Sequence, residues 1–505
     1  MKFDPGHQSF LSVRALVLLA SPVFAQAAAP LAMPVDAGAR PAAREYTVIN
    51  LAPLDGAGVL NQLGQVAFTR YSAGETGAAF FDGRRLHRIQ LQANGLASPQ
   101  VVDLSDAGLA VVVASVADRE FPFNARAFSW SLARGARLLT GSGAGSARAV
   151  NERGQIAGYV QVRQDIGRAT RWNPDGSRTV LGGFPMGYSE AMAINDGGLT
   201  AGYFDNHATV WDAKGGAIDL GAMGGTGAIA SFLNARNQAA GTFNAGGGTG
   251  VFVWRQKEGL TRIGPFDRAV RLAGFNDRGQ VAAGRQIGQE GLNITFAPFT
   301  WSAPRGLAML PLGGAAHGMV NGLNNRGEMV GYTQRAVFDE GSRRAMYWND
   351  VSPPADLNAR LYRAPAGLQL SAATAINDDG TILAQSNAGL VLLRPGRTGT
   401  PAPVLGPLVA PPEAEYASAG RTLDFGVSFV DSNPTETHAA AASVDDGCPQ
   451  AQPSLREVRG SGDVSLRHTF CRAGTFSLVI TVKDRAGNAT RTERQIYVGE
   501  AAALP

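Results

Sequence analysis

Residues 151–158, with the sequence NERGQIAG, decide the fold because variants of this stretch recur along most of the chain. The pattern Asn-x-x-Gly-Gln between apolar residues returns in full or altered form with successive spacings of 44, 46, 44, 39, 42, 48 and 53 residues. The first residues of these motifs are Asn61, Ser105, Asn151, Asn195, Asn234, Asn276, Asn324 and Asn377. A period of about 45 residues is typical of repeat architectures.

Each repeat contains four short apolar runs, such as SEAMAIN, LTAGYF, HATVW and AIDLG around Asn195. Short runs at intervals of about 10 to 12 residues predict antiparallel strands. In the motif, the Asn side chain caps a tight turn and the Gly supplies a positive φ, which predicts a hairpin turn. A calcium loop is the less favoured alternative, because it needs more oxygen ligands than these turns offer.

The tryptophans keep the same phase as the motif. All six of them end an apolar run: Trp130, Trp172, Trp211, Trp254, Trp301 and Trp348. Phe81 and Leu392 hold this position in the first and last repeats. The strict phase predicts a core position between repeats and argues against a sugar-stacking platform.

Four-stranded units at this period suit the blades of a β-propeller. A single strand-like segment at residues 46–51 precedes the first repeat, and the last repeat meets Pro395 without a fourth strand of its own. If residues 46–51 supply that strand, the ring closes without an open edge. We therefore predict an all-β fold with an eight-bladed propeller over residues 44–393. Seven blades are the alternative if the repeat around Ser105 is irregular.

The N-terminus has the features of an export signal. Lys2 and Arg14 precede the apolar run of residues 15–25, and small alanines follow it. This run is too short to span about 30 Å of hydrocarbon as a helix. We predict a signal peptide over residues 1–27, cleaved near Ala25 or Ala27. The mature protein is then secreted or periplasmic and has no transmembrane segment.

A second domain follows the repeats. Residues 394–413 are rich in Pro, which predicts a linker that does not continue a sheet. The alternating segments beyond it predict a small immunoglobulin-like β-sandwich over residues 414–499. Cys448 and Cys471 are the only cysteines of the chain. In an oxidising compartment they predict a disulfide worth roughly 3 kcal/mol, with two free buried thiols as the alternative.

The repeats resemble the HAF-type extracellular repeat family of bacteria. The elements that carry the resemblance are AVNERGQIAGY with ATRW, AINDGGLTAGY with ATVW, and GLNNRGEMVGY with AMYW. This resemblance implies an exported repeat protein without a defined activity. The repeat around Ser105 and the Arg236–Asn237 pair depart from the motif, which leaves the shape of those two turns open.

The C-terminal stretch HTFCRAGTFSLVITVKDRAGN resembles the end of PKD-type or hyalin-repeat-like modules. Such modules are appended to bacterial secreted proteins as binding or spacer domains. The sequence ASVDDG at residues 442–447 departs from the PKD pattern.

Composition and motifs argue against several function classes. The net charge is only +4 and the chain has four Lys, so no basic stripe is available for nucleic acid. The sequence has no nucleophile elbow, His-Glu-x-x-His helix, paired Cys-x-x-Cys or P-loop, and its six His are scattered. We therefore predict no enzymatic activity, no cofactor and no metal.

Loop lengths indicate which face binds. In an up-and-down blade, the turns between strands one and two and between strands three and four lie on one face, and the remaining loops lie on the other. The second set varies in length and carries charge, at residues 117–126, 161–168, 285–295 and 334–344. Insertions gathered on one face of a repeat fold mark its binding face. The candidate contacts are Arg119, Glu120, Arg163, Asp165, Glu290, Asp339 and Arg343.

These observations predict an exported, non-catalytic binding or scaffold protein whose partner is a glycan or another extracytoplasmic protein. Two alternatives stay open. One is an enzyme that acts on polysaccharide with two carboxylates at the channel mouth. The other is a structural component of the cell surface or matrix.

Overall fold

The structure is a computed structural model that describes residues 44–500 except 54–55, 73–74, 92–95, 117–124, 142, 164–165, 183–186, 292, 350–352, 398, 401, 413 and 415–416. The predicted signal peptide, residues 1–27, lies outside this part of the chain. Within the described residues, the helical elements are two short 3-10 helices, Glu340–Ser342 and Leu357–Arg360.

Eight sheets follow one another between Tyr46 and Pro395, and we number them as units 1 to 8. Strand β1 (Tyr46–Ala52) precedes unit 1. Unit 1 consists of β2 (Gly58–Leu60), β3 (Val66–Ser72), β4 (Glu75–Phe81) and β5 (Leu86–Ile89), and unit 2 of β6 (Leu96–Leu104), β7 (Ala110–Val116), β8 (Ala125–Ser131) and β9 (Gly135–Leu138). Unit 3 consists of β10 (Gly145–Val150), β11 (Ile156–Arg163), β12 (Ile166–Trp172) and β13 (Arg178–Val180). Unit 4 consists of β14 (Ser189–Ile194), β15 (Thr200–Phe204), β16 (His207–Trp211) and β17 (Ala217–Gly221).

Units 5 to 8 continue the pattern. Unit 5 consists of β18 (Gly227–Leu233), β19 (Gln238–Ala245), β20 (Gly248–Arg255) and β21 (Gly259–Ile263), and unit 6 of β22 (Val270–Phe275), β23 (Val281–Glu290), β24 (Asn293–Ser302) and β25 (Gly306–Met309). Unit 7 consists of β26 (His317–Leu323), β27 (Met329–Gln334), β28 (Arg344–Trp348) and β29 (Ala355–Asp356). Unit 8 consists of β30 (Leu361–Tyr362), β31 (Leu370–Ile376), β32 (Ile382–Ser386) and β33 (Gly389–Pro395).

Strand β1 joins the two ends of the repeat region. It runs antiparallel to β33, with Val48 opposite Leu393, so the segment before unit 1 completes the sheet of unit 8 as the sequence predicts. The short strand β30 pairs in parallel with the other side of β1 and gives this sheet five strands in the order β30-β1-β33-β32-β31. The sequence patterns do not predict β30, which covers the edge that β1 would otherwise expose.

Hydrophobic clusters lie between neighbouring units. Among the described residues each unit shares a cluster with the next, and the cluster that contains Leu51, Phe68 and Leu392 joins unit 8 to unit 1. All six Trp side chains are buried, at 8% exposure or less. These contacts agree with the core role predicted for them. The arrangement is consistent with a β-propeller.

The motif turns share one geometry. In unit 3 the backbone N–H of Gly154 donates to the Asn151 carbonyl oxygen at 3.0 Å, and Gly154 has a φ of 72°. The two turns that the sequence left open keep this shape. Gly108 donates to the Ser105 carbonyl at 3.0 Å, and Asn237 takes the place of Gly with a φ of 57°. Asn tolerates this left-handed conformation better than other non-glycine residues.

The C-terminal region forms two four-stranded sheets over one hydrophobic core. Their strands are β34 (Val404–Leu405), β35 (Ala417–Ser418), β36 (Thr422–Val430), β37 (His438–Val444), β38 (Ser454–Val458), β39 (Ser461–Thr469), β40 (Gly474–Asp484) and β41 (Ala489–Gly499). Cys448 and Cys471 form the expected disulfide, with a Cα–Cα distance of 5.8 Å.

One expectation about the Pro-rich segment 394–413 is wrong, because this segment does contribute to a sheet. Val404 and Leu405 form β34 and pair with Val430 and Phe429. Pro403 and Pro407 flank this short strand, so no proline interrupts its hydrogen bonds. Leu405 also exchanges two hydrogen bonds with the Asn50 side chain of β1, at 2.9 and 3.2 Å. The segment therefore attaches the C-terminal sheets to the repeat region.

Candidate functional site

The first residues of the motifs connect the turns around a ring that is interrupted between units 2 and 3. The Asn151 side-chain amide donates to the carbonyl oxygen of Asn195 at 2.9 Å, which connects unit 3 to unit 4. Equivalent hydrogen bonds run from Asn61 to Ser105, Asn195 to Asn234, Asn234 to Asn276, Asn276 to Asn324, Asn324 to Asn377 and Asn377 to Asn61. The last of these returns from unit 8 to unit 1. We call this set the amide ring, and the face of the molecule that carries it the turn face.

A second ring uses the next residue of each motif. The Asp196 carboxylate accepts the backbone N–H of Glu152 at 2.8 Å. Equivalent bonds run from the backbone N–H of Gln62 to Asp106, Asp106 to Glu152, Ala235 to Asp277, Asp277 to Asn325, Asn325 to Asp378 and Asp378 to Gln62. The acceptor is an amide oxygen in Asn325 and Gln62 and a carboxylate oxygen in the others. Ala235 has no side-chain acceptor for the Asp196 N–H, so this ring is open at that junction. The carboxylates of the turn face thus accept hydrogen bonds from neighbouring backbones, as expected for structural turn residues.

At the junction of units 2 and 3, a carboxylate makes the connection that an Asn side-chain amide makes elsewhere. Ser105 has no side-chain N–H to donate to unit 3. Instead, the Asp103 carboxylate accepts the N–H of Val150 at 2.8 Å and that of Leu104 at 2.9 Å. Burial raises the pKa of Asp103 to about 6, and the two N–H donors partly oppose this rise. A cavity of about 340 Å³ lies at the centre of the turn face, lined by motif residues of several units including Glu152, Asp277 and Asp378.

The opposite ends of the sheets form the loop face, where the sequence places the binding residues. Arg119, Glu120 and Asp165 lie outside the described residues, and the side chain of Glu290, at the end of β23, is not described. Arg163 is exposed at the end of β11 in unit 3. Asp339 and Arg343 flank the 3-10 helix Glu340–Ser342 in unit 7. The structure therefore brings these last two residues together, in a different unit from Arg163.

Arg343 takes part in a cluster that also contains two residues of the sheet below it. Its guanidinium carbon lies 3.7 Å from the ring centroid of Tyr332, a close cation–π contact. The Tyr332 ring meets that of His317 edge-on at 6.5 Å. The two aromatic residues come from adjacent strands, in which Met319 is opposite Tyr332. We call His317, Tyr332 and Arg343 the unit 7 cluster.

The unit 7 cluster contains buried polar atoms without hydrogen-bond partners. His317 is 5% exposed, and neither of its ring nitrogens has a partner among the described residues; the same is true of Arg343 Nε. A buried polar group without a partner costs about 1–3 kcal/mol, so it needs an explanation. Burial and the nearby Arg343 cation lower the pKa of His317, against an opposing effect of Glu340.

The segment above this cluster, residues 334–344, is fixed by its own polar contacts. The Ser342 hydroxyl donates to the Asp339 carbonyl at 2.7 Å and accepts the N–H of Arg335 at 3.1 Å. Arg335, Ser342 and Arg344 also line a cavity of about 380 Å³ beside residues 312–315. Phe338, in the same segment, is 68% exposed. Phe338 thus exposes an apolar ring in a segment that also carries Arg335, Arg343 and Arg344.

A second cluster on the loop face lies between units 3 and 4, and its polar groups are paired. The buried Glu190 carboxylate accepts hydrogen bonds from Arg148 Nε at 2.5 Å, Tyr203 Oη at 3.1 Å and Tyr188 Oη at 3.3 Å. Burial and the Glu190 charge raise the pKa of both tyrosines. These contacts connect the two units and occupy both carboxylate oxygens of Glu190.

Among the described residues, three carboxylates lie close enough to share a cation. Oxygens of Asp431, Glu436 and Asp484 are within 4.8 Å of one another in the C-terminal sheets. Asp431 already accepts from His438 Nε2 at 3.2 Å, and Asp484 accepts twice from Asn488. These hydrogen bonds account for the cluster without an ion.

Neither the repeat motif nor the loop lengths predict His317, Tyr332 and Phe338 as residues of this site. A signal for the first two exists in the repeat alignment. The positions seven residues before and eight residues after the motif Asn carry Tyr188 and Tyr203 in unit 4, and His317 and Tyr332 in unit 7. In the remaining units the pair is not aromatic at both positions. Aligning the repeats and looking for positions that differ between units would therefore have singled out His317 and Tyr332.

No protein-family model matches the chain, and no curated protein matches it in sequence. Solved structures with weak similarity include TolB of Acinetobacter baumannii, with 11% identity over 51% of this chain and 52% of TolB and a TM-score of 0.27. A gluconolactonase of Xanthomonas campestris has 10% identity over 71% of this chain and 99% of its own, with a TM-score of 0.30.

The extracellular domain of a one-component system from B. thetaiotaomicron has 8% identity over 90% of this chain and 99% of its own, with a TM-score of 0.24. Similarities at this level carry no argument about what the present chain binds. In the part of the chain that the structure describes, no helix is long and apolar enough to cross a bilayer.

Proposed function

We propose that the chain is an exported, non-catalytic binding or scaffold protein. In this proposal the eight units are the blades of an eight-bladed propeller, the C-terminal sheets form an immunoglobulin-like sandwich, and the partner is a glycan or another extracytoplasmic protein. The resemblance to HAF-type repeats and PKD-type modules supports the same assignment. A disulfide is typical of proteins in oxidising compartments, which supports export.

One observation carries the proposal: the two faces use their polar groups differently. On the turn face the motif side chains are bonded to neighbouring units around the ring. On the loop face, the unit 7 cluster holds buried nitrogens without partners, beneath a segment that exposes Phe338. The turn face is thus arranged for stability, whereas the loop face presents side chains such as Arg163 and Phe338 to solvent.

Glu190 gives no reason to prefer the enzymatic alternative. A glycosidase needs one carboxyl group that can give up a proton and a second that can attack or activate water. Glu190 is buried and is held by an arginine and two tyrosines. We therefore propose that this residue connects units 3 and 4.

Co-sedimentation with cell-wall fractions and insoluble polysaccharides tests the proposal. The loop-face variant carries Arg163→Ala, Asp339→Ala and Arg343→Ala. A control of equal charge change on the turn face carries Arg153→Ala, Arg236→Ala and Asp379→Ala, three exposed positions. Retention lost only in the loop-face variant supports a binding face there. Equal retention of all three proteins contradicts it, and failure of every protein to sediment argues against a glycan and favours a protein partner.

A further inference from the structure

We propose that the cavity beside residues 312–315 binds the C-terminal residue of a peptide or protein, whose free carboxylate is held by Arg344 and Arg335. This inference rests on the proposed function and selects a protein from its two classes of partner. We call this space the unit 7 cavity. Its volume of about 380 Å³ lies within the range of about 300–1,000 Å³ that is usual for ligand pockets.

The strand register of unit 7 places several lining side chains of this cavity on one side of the sheet. Thr333 of β27 is opposite Arg344 of β28. Asp356 of β29 is opposite Met346, which lies two residues beyond Arg344 on β28. Opposite residues, and residues two apart on one strand, project from the same side of a sheet. Met346 belongs to the hydrophobic cluster shared with unit 6, so this side faces unit 6 and the loop 312–315 that connects the two units.

Two guanidinium groups line the cavity, and neither has an ion pair among the described residues. The Arg335 side chain is exposed and makes no hydrogen bond in that part of the chain. Arg344 is partly exposed and uses Nη1 to donate to the carbonyl oxygens of Gly341 and Arg343, at 2.7 and 2.9 Å. These two bonds hold its guanidinium in place. The other edge, Nε and Nη2, has no partner among the described residues, and its two parallel N–H groups suit the two oxygens of one carboxylate.

The loop beside the arginines adds backbone donors. Gly313 and Gly314 line the cavity with φ of 63° and 89°. Their turn is closed by a bond from the Ala315 N–H to the Leu312 carbonyl oxygen at 3.2 Å, and the N–H groups of both glycines have no partner among the described residues. A Cβ at Gly314 would meet no atom within 4 Å, so the backbone there is open to a ligand. Successive backbone N–H groups in turns form concavities that bind anions, including C-terminal carboxylates.

Asp356 supplies an acceptor to the same cavity. Its Oδ1 accepts the backbone N–H and the side-chain amide of Asn358, at 2.9 and 2.8 Å, whereas Oδ2 has no partner among the described residues. The backbone N–H of a C-terminal residue supplies the donor that Oδ2 lacks. Two arginines and one aspartate give the described lining a net charge of +1, which one carboxylate neutralises.

The apolar part of the lining favours a peptide over a glycan. None of the described lining residues is aromatic, and the apolar ones include Leu312, Met346 and Pro354. A sugar ring packs its C–H face on an aromatic ring, which this lining does not offer. An aliphatic side chain packs well on other aliphatic groups, so the last residue of the bound chain is expected to be aliphatic.

Saturation-transfer NMR titrations of the full chain test this inference. The probes are N-acetyl-Ala-Leu, its C-terminal amide, N-acetyl-Ala-Gly and sodium glucuronate. We expect N-acetyl-Ala-Leu to bind about tenfold more tightly than its amide, because the amide has no charge for the arginines. N-acetyl-Ala-Gly should bind more weakly because it lacks the aliphatic side chain, and glucuronate should bind more weakly because the lining has no aromatic ring.

Variants at the two arginines locate the binding. Arg344→Gln should lose about tenfold of the affinity for N-acetyl-Ala-Leu, and Arg344→Lys should lose less because it keeps the charge. Arg335→Gln should also weaken binding, and the fold does not depend on this guanidinium because it makes no contact among the described residues. Arg153→Gln, at an exposed position of the turn face, is the matched control and should bind as the wild type does.

Three results would overturn the inference: equal binding of the acid and its amide, tighter binding of glucuronate than of N-acetyl-Ala-Leu, or unchanged affinity in both Arg335→Gln and Arg344→Gln. Circular dichroism verifies that each variant is folded. If none of the peptides binds while cell-wall retention still depends on Arg163, Asp339 and Arg343, this inference fails and the proposed binding function stands.

Discussion

The turn face and the loop face are opposite ends of the same strands, yet they treat polar groups in opposite ways. At the turn face, the Asn276 side chain alone makes four hydrogen bonds, one to Asn324, one to Arg278 and two to Gln280. At the loop face, His317 is equally buried and its ring nitrogens make none among the described residues. In a repeat protein, the connections between units can therefore be concentrated at one end of the strands, while the residues at the other end differ from unit to unit.

The difference also explains which residues recur. A motif Asn bonds to the next unit and to its own turn, so each copy supports two neighbours and a change at one copy weakens a junction. Residues of the loop face contact their own segment or the adjoining unit in ways that differ from one unit to another. Glu190 is fully paired, whereas Arg343 is stacked on an aromatic ring. We expect substitutions at the two faces to separate stability from binding.

The largest expected effect is the loss of a motif Asn. Asn276→Ala removes a hydrogen bond to the next unit at 3.0 Å and leaves the buried carbonyl of Asn324 and two backbone N–H groups without this partner. We expect the free energy of unfolding to fall by about 3 kcal/mol, measured by denaturant titration. Asn244→Ala, at an exposed position, is the control and should change it by less than about 0.5 kcal/mol. Equal effects of the two substitutions would show that the motif Asn contributes no more to stability than an exposed Asn does.

The second prediction concerns pH at the junction of units 2 and 3. The pKa of Asp103 is about 6 in the folded protein and about 3.9 in an unfolded chain, so the folded state binds the proton more tightly. The contribution of Asp103 to stability is therefore fully present below pH 4 and is lost as the pH rises towards and through 6. Asp103→Asn removes this titration.

We expect the wild type to lose about 2 kcal/mol relative to Asp103→Asn between pH 4 and pH 7, measured by chemical denaturation at each pH. The comparison between the two proteins cancels the titration of the other carboxylates. A difference that stays constant over this range, or that changes in the opposite direction, would show that the Asp103 carboxyl group titrates normally.

The third prediction repairs the amide ring. Ser105→Asn supplies the missing donor to the Asn151 carbonyl, and unit 4 shows that an Asn at this position is compatible with Leu four residues later. We expect the free energy of unfolding to rise by about 1 kcal/mol. A loss of stability would mean that the site is too tightly packed for the larger side chain.

Local patterns made the repeat region readable from the sequence. The turn motif, the phase of Trp211 and its equivalents, and the pairing of β1 with unit 8 all follow from period and local turn chemistry. The hydrogen bonds between motif residues were not predicted, because they join atoms of different units about 44 residues apart and depend on closure of the ring. Asp103 was missed for the same reason, since its partner Val150 lies in the next unit.

The candidate site was only partly readable. Loop length and charge pointed to Asp339 and Arg343, because insertions stand out against a regular repeat. His317 and Tyr332 are 15 residues apart and meet only through the register of β26 and β27. The absence of hydrogen-bond partners for the His317 ring is a property of the folded structure, which no sequence pattern predicts. The strand β34 was missed because the prolines around Val404 and Leu405 obscured two residues that can pair.

The smallest expected effect on stability is at the loop face. Replacing Phe338 by Ser and Arg343 by Gln removes an exposed aromatic ring and a stacked cation, neither of which connects two units through a hydrogen bond. We expect the free energy of unfolding to change by less than about 0.5 kcal/mol, because surface substitutions outside such connections have small effects. Denaturant titration beside Asn276→Ala measures the contrast directly. If the double variant were destabilised as strongly as Asn276→Ala, the segment 334–344 would be part of the structural framework, and its unpaired groups would need an explanation other than recognition.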